Sequence, residues 1–157
     1  GLDIQYIPND KCFISNADFL VIGGAGILSD SIVNNNIVIN CHPGIIPLSR
    51  GLDSFKWSIL ENNRLGVTLH KIDKDIDLGD VIKVIETDVY ESDSIESLAR
   101  RHYENEINLL INFSDYIKFP FNSYSKNIVG MPKKRMSQEK EIEMLSNFKN
   151  YSKIFSQ

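Results

Sequence analysis

Cysteine is scarce in this sequence, with Cys12 and Cys41 the two such residues among 157. They form no C-x-x-C pair and are too few for a disulfide framework, which excludes a small disulfide-stapled fold. Two reduced thiols indicate a cytoplasmic protein. Because neighbours on a strand face opposite ways, we expect the Cys41 side chain to point into the core, where a thiol is inert.

Long apolar runs and an excess of positive charge are also absent. The stretch FLVIGGAGIL is far too short to span a bilayer and no secretory signal is visible, so we expect no membrane partner. Seventeen basic and 21 acidic residues give a net charge of −4, which argues against a nucleic-acid partner held by phosphate contacts. The apolar share of 42% suits one packed domain with at most a small appendage.

Patterns of buried strands and short helices alternate in the first half of the chain. DFLVIGG (18–24) is a continuous apolar run closed by glycines, which predicts a strand buried on both faces. The other elements predicted in this half are a short strand at 1–7, a helix at 27–35, a strand at 36–40 and a helix at 52–63 that starts at Asp53 or Ser54.

The second half begins with two strands, GVTLHKID (66–73) and DVIKVIETDVY (80–90). Their connection is too short to hold a helix, so the pair is predicted to be antiparallel. A helix follows, with Asp93 as its predicted N-cap and Glu96 three residues later. Together these patterns predict an α/β sandwich of the Rossmann-like kind, with a mostly parallel, mixed sheet.

The composition changes at Pro120, where the chain becomes polar and gains proline and glycine. We therefore expect a main domain over residues 1–119 and a C-terminal extension over residues 120–157. A helix is predicted near 137–149, and its spacing places Ile142, Leu145 and Phe148 on one face.

The strongest chemical signal is NCHPGIIPLSRG, residues 40–51. Asn40 and His42 stand two apart at the carboxyl end of a predicted strand, where open α/β sheets bind ligands, so both side chains face the same way. Pro43 and Pro47 stiffen the loop that follows. An amide beside an imidazole on stiff backbone suits oxyanion stabilisation and proton transfer. Taken alone, such a pair is more often a loop cap beside a core histidine.

A second polar cluster is KDIDLGD (74–80), which carries three carboxylates around a glycine. This composition is common in turns, and its spacing is not that of an EF-hand loop. One histidine with scattered carboxylates is a poor zinc set, so no metal is expected. GGAG at 23–26 is not a G-x-G-x-x-G fingerprint, which argues against a nicotinamide site. A structural interpretation is favoured for His70, His102 and Trp57, and PKKR at 132–135 is expected to be a solvated face.

Joined in order, N-x-H-P-G-x-x-P, GVTLHKID and D-x-G-D resemble the folate-dependent formyltransferase family. That family includes glycinamide ribonucleotide, methionyl-tRNA and sugar-nucleotide N-formyltransferases. The resemblance covers about residues 18–85 and extends weakly to MPKKRMS (131–137). It implies a formyltransferase-type fold and a catalytic triad of Asn40, His42 and Asp77, with Ile76 where the family usually has Leu. HPGIIPLSRGLD looks closest to the sugar-type members, and Gly44 favours a small-molecule amine.

The resemblance implies transfer of a formyl group from N10-formyltetrahydrofolate, the co-substrate, to a primary amine, by expectation that of an amino-sugar nucleotide. Asn40 and a protonated His42 would donate to the carbonyl oxygen as it becomes an oxyanion, while Asp77 would keep His42 charged and relay a proton. The folate-binding residues it implies are Gly23, Gly24, Ala25, Gly26, Ile27, Asp75 and Ile76. The acceptor-binding residues it implies are Pro43, Gly44, Ser49 and Arg50.

Three other functions stay open on the sequence. They are a glycinamide ribonucleotide formyltransferase-like activity, a formyltetrahydrofolate hydrolase with water as acceptor, and a non-catalytic remnant that binds folate. Nothing before residue 18 matches the first βαβ unit of the family, so we expect a chain that lacks the N-terminal part of that domain. A half-built sheet exposes an edge strand and apolar surface, which favours a homo-oligomer.

Overall fold

Within the residues that the structure describes, the strands form one four-stranded mixed sheet. The computed structural model describes residues 16–24, 26–117 and 131–157. The order across the sheet follows the order in the sequence, β1-β2-β3-β4. The strands are β1 (Leu20–Val21), β2 (Val38–His42), β3 (Gly66–Lys71) and β4 (Val81–Glu86).

The strand directions confirm an α/β fold with a mixed sheet. β1 and β2 are parallel, whereas β2 with β3 and β3 with β4 are antiparallel. The antiparallel hairpin of β3 and β4 is as predicted. Within the described residues the parallel share is one pairing of three, smaller than the mostly parallel sheet we expected. The predicted strand at 1–7 lies outside the described residues.

Five helices are assigned within the described ranges. They are α1 (Asp30–Asn35), α2 (Ser54–Leu60), α3 (Ile95–Ile111), α4 (Phe113–Tyr116) and α5 (Gln138–Phe155). In these same ranges no helix is long and apolar enough to cross a membrane.

The prediction that the first apolar run is a strand buried on both faces is wrong. β1 spans two residues, Leu20 is half-buried, and Val21 is 44% exposed. The reason is its place at the sheet edge, because the part of the chain that the structure describes pairs no strand with it on the side away from β2. β2 and β3, by contrast, lie inside the sheet, and both are almost wholly buried.

The start of α3 also differs from the prediction. Ser94, not Asp93, is the N-cap, and it exchanges two hydrogen bonds with Ser97 in a capping box. Asp93 instead binds the guanidinium of Arg101 through both carboxylate oxygens, each at 2.8 Å. Arg101, with the main-chain N–H of Tyr90, lowers the pKa of Asp93 to about 2. A strong ion pair thus takes the acidic side chain away from the helix end.

Two hydrophobic clusters hold the helices in place. The first lies where α3 packs on the sheet, and Cys41 belongs to it, as expected. Burial raises the pKa of that thiol to about 12, which leaves it inert. The second cluster joins α2, α3 and α5. Its buried members are Ile59, Leu65, Val89, Leu98, Met136, Met144 and Tyr151.

α5 packs on α2 through a face that shares Phe148 with the predicted one but excludes Ile142 and Leu145. Ile142 is 63% exposed and Leu145 is 52% exposed, whereas Met144 and Tyr151 are buried. The inner face therefore runs through Met144, Phe148, Tyr151 and Phe155, and the helix continues six residues past the predicted end at 149. The division of the chain into residues 1–119 and 120–157 stays a prediction, and its boundary lies outside the described residues.

Candidate active site

His42 is the last residue of β2, and protein groups surround both of its ring nitrogens. Nδ1 lies 3.4 Å from Oδ1 of Asp77. Nε2 lies 3.0 Å from the main-chain oxygen of Ser49 and 3.0 Å from the hydroxyl of Ser54. The imidazole is 4% exposed, so these contacts fix its orientation.

Asp77 lies in the connection between β3 and β4, where its backbone adopts the left-handed conformation with φ 48°. Its second carboxylate oxygen accepts a hydrogen bond of 2.8 Å from the main-chain N–H of Gly51. The Arg50 guanidinium donates to the main-chain oxygens of Ile76, at 2.8 Å, and Asp77, at 3.1 Å. The loop after His42 therefore holds Asp77 by both its side chain and its backbone.

Asn40 lies two residues before His42 and is half-buried. Its side-chain amide lies 3.2 Å from Nε2 of His70, its direct partner across the β2–β3 ladder. The rings of His42 and His70 meet edge to face, with centroids 6.5 Å apart. His70 is thus part of the site, although a structural role was favoured from its place in the sequence. Sequence reasoning missed this role of His70 because it depends on the pairing of β3 with β2, which no local pattern in the sequence indicates.

Burial dominates the electrostatics of the two histidines. Desolvation lowers the pKa of His42 below its usual range, and the Asp77 carboxylate opposes that effect. Desolvation, reinforced by His42, lowers the pKa of His70 to about 4. Both rings are therefore neutral at pH 7. A neutral His42 at rest differs from the protonated His42 that the resemblance implied as a donor to the oxyanion, because the desolvation penalty exceeds the attraction of Asp77.

The expected folate-binding residues lie in two places. Gly23, Gly24, Gly26 and Ile27 follow β1 and are exposed, and Ala25 lies outside the described residues. β1 is parallel to β2, and the main-chain N–H of Ile22 donates to the main-chain oxygen of Ile39. The segment after β1 therefore lies at the same end of the sheet as Asn40, the end at which the two parallel strands finish. Asp75 and Ile76 lie beside Asp77, where the main-chain N–H of Asp75 donates to Asp73.

The expected acceptor-binding residues all lie in the loop after His42, and all four have contacts inside the protein. The main-chain oxygen of Gly44 accepts a hydrogen bond of 2.6 Å from the Thr68 hydroxyl. The Ser49 hydroxyl lies 3.2 Å from that of Ser58, and Arg50 is 7% exposed against the Asp77 loop. Pro43 supplies a main-chain oxygen 3.3 Å from Nε2 of His102. His102 in turn lies 2.8 Å from the Thr87 hydroxyl. These contacts explain how the loop keeps one shape.

Residues 131–136 pack against the site loop as a strap. Lys133 donates its main-chain N–H to Arg50 and accepts from Leu52, both at 2.9 Å. The Trp57 indole donates to the main-chain oxygen of Lys134 at 2.9 Å, and Met136 donates to Asp53 at 2.9 Å. The basic run exposes the side chains of Lys134 and Arg135, as predicted for a solvated face, but it also binds the loop through its backbone. Its sequence gave no signal for this because main-chain pairing does not depend on side-chain type.

Metal-ligating side chains do not gather in the parts of the chain that the structure describes. No group of three or more His, Cys, Asp or Glu in those ranges is placed to hold a metal ion.

Comparison with known proteins gives a consistent result. Residues 10–113 match the sequence profile of the family described as formyl transferase. A dTDP-4-amino-4,6-dideoxyglucose formyltransferase of Mycobacterium bovis is 34% identical over 80 residues, which cover 51% of this chain and 34% of that protein. A methionyl-tRNA formyltransferase of Sulfurimonas denitrificans is 28% identical over 88% of this chain and 46% of its own length.

Solved structures show the same fold. The formyltransferase PseJ of Anoxybacillus kamchatkensis, in complex with UDP-4,6-dideoxy-4-formamido-L-AltNAc and tetrahydrofolate, superposes with a TM-score of 0.71 at 22% identity, covering 92% of this chain and 85% of that one. A 4-N formyltransferase of Francisella tularensis gives a TM-score of 0.69 at 21% identity, covering 90% of this chain and 65% of that one. The chain spans about a third to a half of the length of the two curated relatives above.

Proposed function

The chain belongs to the formyl transferase family, and from this premise we propose that it moves a formyl group from N10-formyltetrahydrofolate to a primary amine of a small molecule, an amino-sugar nucleotide. The observation that carries the proposal is the contact of 3.4 Å between Nδ1 of His42 and Oδ1 of Asp77, in the order of residues that the family uses. The half-buried Asn40 amide, two residues earlier on the same strand, supplies the third group.

Asn40 has the right chemistry to stabilise an oxyanion. One N–H of its side-chain amide is directed at His70, which leaves the other N–H for the oxygen of the formyl carbonyl. A fixed donor of this kind contributes about 3 kcal/mol to transition-state stabilisation. The bond to His70 holds the amide in place before the oxygen arrives, so little reorganisation is needed during the reaction.

His42 and Asp77 have the right chemistry to move a proton. The attacking amine must lose a proton once its nitrogen has bonded to carbon, and the leaving nitrogen must gain one. Because burial keeps His42 neutral at rest, the imidazole can accept the first proton, and the adjacent carboxylate stabilises the charge that results. A positioned acid–base group of this kind contributes about 100- to 10,000-fold in rate.

The two segments expected to bind folate are compatible with a flat ring lying against the backbone. Gly23 and Gly26 have no heavy atom within 4 Å of the position that a Cβ would take, so their main chain is open to a ligand. Formyltetrahydrofolate, when bound there, supplies a one-carbon unit already activated on nitrogen. The protein's own residues then bind its carbonyl oxygen and manage the protons.

The nature of the acceptor is supported by the relatives. The Mycobacterium bovis protein is named for an amino-dideoxy-sugar nucleotide, and the sequence after His42 looks closest to sugar-type members. A small-molecule acceptor, the absence of a nucleic-acid or membrane partner, a cytoplasmic location and self-association into a homo-oligomer all form part of this proposal.

The test is an assay of tetrahydrofolate release with three acceptors supplied separately: dTDP-4-amino-4,6-dideoxyglucose, glycinamide ribonucleotide, and water alone. We expect release with the amino-sugar nucleotide and loss of that release in His42→Ala. Release with glycinamide ribonucleotide alone would move the protein to the purine-type activity, and release without any amine would identify a hydrolase. Folate binding with no release under any condition would reject the proposal in favour of a non-catalytic folate-binding protein.

A further inference from the structure

The environment of Nε2 of His42 contains acceptors on both sides. The main-chain oxygen of Ser49, 3.0 Å away, can only accept a hydrogen bond. A contact of this length between a ring nitrogen and a carbonyl oxygen is favourable when the nitrogen carries a hydrogen. It is unfavourable when the nitrogen presents a lone pair to the oxygen. The carbonyl thus favours a proton on Nε2.

Ser54 contributes the second acceptor. Its hydroxyl hydrogen is already used, because the hydroxyl donates to the main-chain oxygen of Gly51 at 3.0 Å. A hydroxyl has one hydrogen and two lone pairs, so the same oxygen presents a lone pair to Nε2 of His42, 3.0 Å away. The Ser49 carbonyl oxygen and the Ser54 hydroxyl oxygen therefore both favour a hydrogen on Nε2 of His42.

The Nε2 side of the ring is also closed to a ligand. A Cβ on Gly44 would lie 2.8 Å from Nε2 and 2.8 Å from the Ser49 oxygen, so the backbone packs directly against this edge. Ser54 is 0% exposed, whereas the Asp77 side chain, on the Nδ1 side, is 16% exposed. The opening to solvent and substrate therefore lies towards Nδ1 and Asp77.

The Asp77 carboxylate competes for the ring hydrogen at Nδ1, but it lies 3.4 Å away, beyond the usual hydrogen-bond range, whereas Nε2 has two oxygen acceptors at 3.0 Å. We propose that Ser54 is a positioning residue that fixes His42 in the neutral tautomer protonated on Nε2, so that the reaction proton is taken up on Nδ1, between His42 and Asp77. This inference rests on the proposed function for its catalytic part. The proton that leaves the attacking nitrogen adds to Nδ1 and gives an imidazolium beside the carboxylate. The same proton then passes to the leaving nitrogen as its bond to carbon breaks, and the proton on Nε2 does not move.

The array of hydroxyl, imidazole and carboxylate formed by Ser54, His42 and Asp77 resembles that of a serine hydrolase, but Ser54 cannot act as a nucleophile here. Its side chain has no exposure, and the hydroxyl is directed at the Gly51 carbonyl rather than at open space. The order of contacts therefore supports a role in orientation and in the choice of tautomer.

The direct test is ¹⁵N NMR of the chain labelled at histidine, with the His42 signals assigned by comparison with His42→Asn. At neutral pH we expect Nε2 of His42 to carry the proton and Nδ1 to be bare. The opposite tautomer in the wild-type chain would overturn the inference, whatever the variants do. Because this measurement needs no substrate, a correct tautomer without formyl transfer to any amine would reject the proposed function and leave the tautomer assignment standing.

A variant series tests the part played by Ser54. In Ser54→Ala we expect His42 to populate both neutral tautomers and kcat to fall about five- to tenfold, as expected for the loss of one hydrogen bond. Ser54→Thr keeps the hydroxyl, so it should restore both the single tautomer protonated on Nε2 and the wild-type kcat. The matched control is Ser58→Ala, which removes another buried hydroxyl of α2 that bonds Ser49 rather than His42.

Each outcome of the series supports or overturns the assignment to Ser54. If Ser54→Ala lowers only the melting temperature and leaves the tautomer, kcat and pH profile unchanged, Ser54 has no positioning role. If Ser58→Ala disturbs the tautomer equally, the effect belongs to packing of α2 and the assignment to Ser54 is wrong. Should Ser54→Ala fail to fold, Ser54→Cys keeps the volume and a weaker acceptor, and its intermediate tautomer ratio decides the question.

Discussion

The side-chain amide of Asn40 donates to Nε2 of His70 across the β2–β3 ladder, over 3.2 Å. This bond fixes the amide at the end of the strand that also carries His42. It makes His70, which is 1% exposed, a support for the proposed oxyanion donor rather than a residue of the core alone.

Replacing His70 tests this support. In His70→Leu the Asn40 amide loses its acceptor and can rotate, so we expect kcat to fall about 10- to 100-fold, since small misplacements of a catalytic group have effects of this size. In His70→Gln a side-chain oxygen can accept the same bond, and activity should recover in part. Steady-state kinetics checks both. Equal kcat in the leucine variant and the wild type would show that Asn40 needs no such partner.

Asp77→Asn tests the charge beside His42 without changing the backbone. Asparagine tolerates the left-handed conformation of this position, and its amide oxygen can still accept from Gly51. We expect formyl transfer to fall about 100- to 10,000-fold through loss of the acid–base pair. Circular dichroism should show an intact fold. The control is Asp115→Asn in α4, which should keep wild-type rates.

Gly51→Ala tests the connection between the strap and Asp77, the carboxylate proposed to act in catalysis. Gly51 has φ 87°, and a Cβ there would lie 2.3 Å from the main-chain oxygen of Lys133. We expect the free energy of unfolding to fall by at least about 2 kcal/mol and activity to be lost with the Gly51 bond to Asp77. Urea denaturation measures the first effect. Gly23→Ala, where the added Cβ meets nothing within 4 Å, should change stability by less than about 0.5 kcal/mol.

Two neighbouring residues of α5 test which face is inside. Met144 is 3% exposed and Leu145 is 52% exposed. Met144→Ala should therefore lower the free energy of unfolding by about 2–5 kcal/mol, because it leaves a cavity between α5 and α2. Leu145→Ala should cost less than about 1 kcal/mol. If chemical denaturation showed that Leu145→Ala lowers the free energy of unfolding more than Met144→Ala does, α5 would pack through the face predicted from the sequence.

His102 makes stability depend on pH in the acidic range. Desolvation lowers its pKa from 6.5 to about 4, so the unfolded chain binds the proton more readily than the folded chain. The stabilisation is complete above pH 6.5 and is lost as the pH falls towards 4. Between pH 7 and pH 5 the contribution of His102 to the free energy of unfolding should fall by about 2 kcal/mol. His102→Gln should show a shallower fall in urea unfolding at the two pH values, and an unchanged slope would contradict the assignment.

Much of the fold could be predicted because it depends on local patterns. The apolar run at β2, the short connection that makes β3 and β4 antiparallel, and the helix after Ser137 all appeared in the sequence. The faces and ends of helices were less predictable. The faces of α5 could not be told apart, because Ile142 and Met144 are both apolar and only packing on α2 selects between them.

The residues of the candidate site, like the elements of the fold, fall into those that the sequence predicted and those that it did not. The spacing of Asn40 and His42 followed from strand geometry, and Asp77 followed from the family resemblance. Ser54, His70 and the strap were not predicted as site elements, because each acts through a partner distant in sequence or through its backbone.

The sequence by itself determined which chemical groups are available and at which end of which strand they stand, since these depend on residue type and on the period of the backbone. Only the tertiary structure decided how those groups are protonated and held. Burial lowers the pKa of His42, and the ladder partner of Asn40 and the acceptors around Nε2 of His42 come from other parts of the chain. Desolvation and hydrogen-bond direction are properties of the packed interior, and they arise only when distant segments meet.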